Sequence, residues 1–176
     1  MAAICVFCAS STTLAPGFLN LATATGAALA EAGHVLVSGG GRVGMMGAVA
    51  AGARGAGGHT VGIIPRQLQD REVADLDADE LVVTETMADR KTLLIERSDA
   101  FVVLPGGLGT LDELFEVWTV AGLGFHPKPI IVVNADGFYD GLLAWLDRAV
   151  ADGMVRADAV KAVTVVGDLD AALALL

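Results

Sequence analysis

Residues 100–113 read Ala100-Phe101-Val102-Val103-Leu104-Pro105-Gly106-Gly107-Leu108-Gly109-Thr110-Leu111-Asp112-Glu113. An unbroken apolar run ends at a proline and a glycine-rich turn, then passes into a segment of helical period. A strand that shows no polar alternation is buried on both faces, the condition of a central strand in a parallel sheet covered by helices. The pattern repeats outward from this point. Short β-branched or aliphatic runs lie at 4–7, 35–38, 60–64, 81–84, 129–133 and 163–166, with helical segments predicted over 16–32, 43–57, 87–98, 110–123, 138–152 and 168–175. This alternation predicts an α/β fold, a doubly wound parallel sheet with helices on both faces, as one domain over residues 1–176.

Composition agrees. The chain has 176 residues, 54% hydrophobic and 18% charged, with a mean hydropathy of +0.62. No stretch reaches the roughly 18 consecutive apolar residues of a spanning helix, so buried strands account for the hydropathy and no membrane partner is expected. Met1-Ala2-Ala3-Ile4 lacks the basic start and apolar core of a signal peptide, which points to a cytoplasmic protein. With 21 acidic against 11 basic residues the net charge is -10, and the basic residues are scattered, so no nucleic-acid partner is expected. Cys5 and Cys8 fall within a strand-like run, where positions three apart face opposite sides. With only His34, His59 and His126 to add, they offer too few ligands for a metal site and read as structural. The Asp-rich stretch from Pro65 to Glu80 reads as a solvated connection or a lid.

Two glycine clusters each follow a strand and open a helix. The first, Ser38 to Gly47, includes Gly39, Gly40, Gly41 and Gly44 and contains G-x-G-x-x-G. The acidic residue that a dinucleotide site wants about 20 positions on is missing from Val61-Gly62-Ile63-Ile64-Pro65. What remains is either backbone amides facing an anion or a tight turn with close packing. The second cluster, Gly106, Gly107, Leu108, Gly109 and Thr110, places further amides at the carboxyl edge of the sheet. Thr110 and Glu113 have capping-box spacing, and Glu116 shares a helical face with Glu113, so two carboxylates could look toward the mouth of a site. Arg90 and Lys91 are the only adjacent basic pair. They could pair on the surface with Glu85 or Asp89, or Arg90 could clamp a phosphate or orient a carboxylate.

Together these residues resemble the LONELY GUY family, the cytokinin riboside 5′-monophosphate phosphoribohydrolases, also labelled lysine decarboxylase-like. The resemblance spans about Val6 to Met154 and includes Cys8-Ala9-Ser10-Ser11, Ser38 to Gly47, Arg71-Glu72, Met87 to Lys91, Pro105 to Glu113 and Glu116 to Lys128. Arg-Lys followed by P-G-G-x-G-T-x-x-E is its most specific part. Where family members often carry glycine, an aromatic and histidine, this chain has Ala9, Ser38 and Ala88. The resemblance implies a Rossmann-like homodimer with substrate near the subunit interface. It makes Arg90 and Glu113 the catalytic pair and puts substrate contacts on Glu72, Met87, Lys91, Gly106 to Thr110, Glu116 and Thr119. The implied reaction splits an adenosine 5′-monophosphate, N6-substituted or plain, into free base and ribose 5-phosphate, with no cofactor and no metal. A noncatalytic nucleotide or cofactor carrier built on the same turns is the alternative. Lysine decarboxylation would need a Schiff-base lysine, and none of Lys91, Lys128 and Lys161 has a context that suggests one.

Overall fold

The computed structural model describes residues 1–69 and 73–176. Seven strands form one parallel sheet in the order β4-β3-β2-β1-β5-β6-β7. They are β1 Ala3–Phe7, β2 Val35–Ser38, β3 Thr60–Pro65, β4 Glu80–Thr84, β5 Ala100–Val103, β6 Ile130–Val133 and β7 Val163–Val166. The central pair, β1 and β5, runs in register from Ile4 opposite Ala100 to Phe7 opposite Val103. The helices are α1 Pro16–Glu31, α2 Gly44–Gly55, α3 Arg66–Gln69, α4 Met87–Glu96, α5 Leu108–Gly122, α6 Asp140–Ala151, α7 Ala157–Val160 and α8 Leu169–Leu173. The short helices α3 and α7 carry too few residues to leave a periodic signal, and the sequence reading misses both.

Strand alternation divides the core into two layers. Ile4, Val6, Leu36, Val102 and Leu104 face α1, α2 and α8, while Cys5, Phe7, Val37, Phe101 and Val103 face α4, α5 and α6. The helices after β1 and after β5 therefore lie on opposite faces. Between the carboxyl ends of these adjacent strands the chain leaves a crevice, the place where open α/β sheets bind ligands. At Gly26, α1 lies so close to α2 that a Cβ would overlap the Val49 carbonyl. Cys5 and Cys8 are buried free thiols in different layers. Burial, with a smaller contribution from the charge of Glu113, pushes both thiols well above their ordinary range. Among the described residues, no helix is long and apolar enough to cross a membrane.

Candidate active site

At the β1–β5 crevice lies a cavity of about 570 Å³. One wall is the β1 loop, Cys8 to Ser11; another is the start of α5, Gly107 to Thr110; Arg90 and Glu113 are also on its lining. Two bonds tie the loops together: Ala9 N–H donates to Pro105 C=O at 3.3 Å, and the Tyr139 hydroxyl donates to Leu104 C=O at 2.8 Å.

Arg90 and Glu113 are the charged centre of the cavity. Arg90 Nη2 stands 2.8 Å from Glu113 Oε1, and Arg90 Nε donates to the Ile63 carbonyl at 3.1 Å. The two residues are 6% and 8% exposed, too little for either charge to be solvated alone, so each depends on the other. Burial raises the carboxyl of Glu113 above its ordinary range, the charge of Arg90 opposes that shift, and the net direction is upward. If Glu113 acts as a carboxylate, activity falls on acidification around a pKa above the usual glutamate value of about 4.3. A pH profile of kcat/KM checks this, and an acid limb at or below that value contradicts it. The linked effect on stability has the opposite sense. A raised folded-state pKa favours folding most below the unfolded value, and that contribution is lost as pH rises through the folded value.

Thr110 and Glu113 do not form a capping box. Helix α5 begins at Leu108, with Gly107 at its N-cap and no side-chain cap, so both residues lie inside the helix on its buried stripe with Leu114, Val117 and Trp118. The capping box is on α4, between Thr86 and Asp89. Surface pairing of Arg90 or Lys91 with Glu85 or Asp89 is also overturned. Glu85 pairs with Arg66, Asp89 is engaged by the cap, and Lys91 Nζ reaches Asp112 Oδ1 at 3.1 Å and Glu116 Oε2 at 3.0 Å.

The two glycine turns differ in what their amides do. At the first, Met45 and Met46 N–H both donate to the Ala9 carbonyl, at 2.9 and 3.3 Å, Arg42 N–H to Val73 C=O, and Gly40 N–H to Ser38 Oγ. Gly41 N–H lies against Met46 Sδ. The expectation of an open anion site there gives way to close packing, because the chain's own acceptors occupy these donors. At the second turn the leading amides of α5, Leu108, Gly109 and Thr110, have no carbonyl one turn back to bond. These residues line the cavity, so this turn keeps the partial positive charge of a helix N-terminus available to a ligand.

A family model described as possible lysine decarboxylase matches residues 46–176. The cytokinin riboside 5′-monophosphate phosphoribohydrolase of Mycobacterium tuberculosis is 53% identical over 170 residues, covering 97% of this chain and 90% of that protein. The chain belongs to the LONELY GUY family. The phosphoribohydrolase of the same name from Mycobacterium marinum is 52% identical over the same shares of the two chains. Among solved structures, the molybdenum cofactor binding protein of Rippkaea orientalis superposes with a TM-score of 0.73 at 27% identity, covering 99% of this chain and 94% of that one.

Of the residues that the LONELY GUY resemblance implies, Met87, Arg90, Gly107, Leu108, Gly109, Thr110 and Glu113 line the one cavity, as do Gly39 and Gly41 of the first turn. Gly40 and Gly44 lie behind it, against the Gly62–Ile63 backbone and the β1 loop. Gly106 backs onto the Thr110 side chain. Lys91 and Glu116 are bonded to each other outside the cavity, and Glu116 and Thr119 share a shallow depression on the outer side of α5 with Asp112, Phe115 and Val120. Glu116 therefore does not look toward the mouth beside Glu113. Glu72 lies outside the described residues. The sequence reading missed an apolar side of the cavity made by Val43, Met46, Ile64, Leu68 and Val73. Two of these belong to the Asp-rich stretch, which is more than a solvated connection. Ala74 bridges to Gly41, and buried Asp75 accepts from Arg54 Nη1 at 2.8 Å.

Proposed function

We propose that the protein hydrolyses the N-glycosidic bond of adenosine 5′-monophosphates, including N6-substituted ones, to free base and ribose 5-phosphate. The observation that carries this is the buried Arg90–Glu113 pair sharing a cavity with the N-terminus of α5. Departure of the base leaves positive charge on the ribose, so a carboxylate beside the anomeric carbon stabilises the oxocarbenium-like state and draws a proton from the attacking water; the water oxygen bonds to that carbon as the C–N bond breaks, and the departing base takes its proton from solvent. Glu113 has that role. Arg90 serves to hold the glutamate and substrate in line through its fork of donors. The phosphate lies against the α5 amides and the Thr110 hydroxyl, and the apolar side of the cavity suits a base with an aliphatic substituent. Among the described residues, no group of three or more His, Cys, Asp or Glu is placed to hold a metal ion, and the reaction as drawn uses no metal or cofactor.

The whole chain, residues 1–176, acts as one cytoplasmic nucleotide-binding unit in cytokinin or purine metabolism. It pairs as a homodimer. The outer face of α5 and α6 supports this: exposed Leu123, Trp145 and Met154 surround an apolar groove floored by Phe115 and Trp118. The family resemblance implies Glu72, Lys91, Glu116 and Thr119 as substrate contacts, and Glu116 and Thr119 lie on the α5 face beside that groove.

A carrier role is the second reading, favoured by the likeness to a molybdenum cofactor binding protein. Incubating the purified protein with isopentenyladenosine monophosphate or adenosine monophosphate and separating the products by chromatography decides between them. Free base and ribose 5-phosphate are expected in equal amounts. Nucleotide binding in calorimetry with no base released favours the carrier.

A further inference from the structure

We infer that Gly39 is a positioning residue for the Arg90–Glu113 pair, its missing side chain being the space in which the guanidinium lies. Gly39 follows the last residue of β2, and its φ is not among the positive glycine values, which in this turn belong to Gly40 and Gly44. Backbone conformation therefore does not call for glycine at position 39; space does. A Cβ there would overlap Arg90 Nη2 and come within 3.0 Å of Arg90 Cζ. Nη2 is the nitrogen that reaches Glu113. Nε is tied to the Ile63 carbonyl, so the head of the side chain, not its stem, must yield, and it yields into the cavity that Arg90 lines. The other close neighbour, Met46 Sδ at 3.2 Å, ends a flexible side chain that can give way. An alanine at 39 thus acts on the guanidinium and moves it off the carboxylate. Glu113 then loses the charge that opposes the upward push of burial.

The structural part of this inference stands alone, and its catalytic part rests on the proposed function. Melting midpoints of the parent, Gly39→Ala, Arg90→Ala and the double variant form a cycle. Gly39→Ala is expected to lower the midpoint by roughly 5 °C when Arg90 is present and by no more than about 1 °C when it is absent. Should Arg90→Ala not fold, the same comparison is made in an Arg90→Met, Glu113→Gln background, where neither charge is left alone. In carboxyl NMR, Glu113 of Gly39→Ala titrates higher than in the parent, because the opposing charge of Arg90 has moved away. Base release falls roughly 100-fold in kcat with a smaller change in KM, since misplacement acts on the reacting geometry. Equal loss of midpoint in both backgrounds, or an unmoved Glu113 titration, overturns the inference. If the parent itself releases no base, the proposed function fails, and melting and titration still decide the role of Gly39.

Discussion

Glu113→Gln lowers kcat for base release by about 10³-fold or more while the protein keeps its fold. Glutamine is close to isosteric, so the substitution removes charge and basicity without opening a cavity, and it leaves the buried Arg90 charge without its partner. It takes away the carboxylate that faces the developing cation and the group that accepts the proton from water. Circular dichroism at neutral pH is expected to match the parent, while the melting midpoint falls because the buried Arg90 charge is left without its partner. Arg90→Ala is the companion variant and loses about 100-fold, because the glutamate stays in place but is no longer held in line. Its stability also falls, by roughly 3–5 kcal/mol if Glu113 remains ionised, as happens when one partner of a buried pair is removed. Full activity in either purified protein would rule out the assigned pair.

Removing the 5′-phosphate from the substrate costs about 10³-fold in kcat/KM, the second large effect. Charged hydrogen bonds are worth about 1.5–3 kcal/mol each, and the leading amides of α5 with the Thr110 hydroxyl can supply two or more. Binding energy from this remote group is used to hold the ribose at Glu113, so kcat falls along with affinity. Parallel assays on adenosine and adenosine monophosphate measure the ratio. Comparable activity on the bare nucleoside would mean that the α5 turn does not hold the phosphate.

Local chemistry explains what could be read from the chain. The run from Ala100 into Gly107 holds its own strand and turn instructions, and no distant contact was needed to place it at the sheet edge. Arg90 and Glu113 were singled out by the family motif, and the structure adds a physical reason that the residue pattern alone was not read to give. Glu113 falls on the stripe of Thr110, Leu114, Val117 and Trp118, and Arg90 lies one turn before Leu94, so each is an ionisable residue at a core position. A charge at such a position requires a buried partner. Glu116 misled because three-residue spacing allows a shared face without fixing how α5 is rotated. In the structure its buried stripe turns to the sheet and Glu116 turns to Lys91. Leu68 and Val73 were out of reach because their approach to the cavity depends on pairing between segments far apart in the chain, with Ala74 against Gly41 and Asp75 against Arg54.

Ala9 sets a limit on what the crevice can accept. Its carbonyl fills the entrance of α2 by taking the amides of Met45 and Met46, while the entrance of α5 stays open to the cavity. Of two glycine turns that look alike in the sequence, one has its helix amides taken by the chain itself and the other presents them to the cavity. Because the acceptor that closes the first turn belongs to the main chain, no side-chain substitution at position 9 frees the amides of Met45 and Met46.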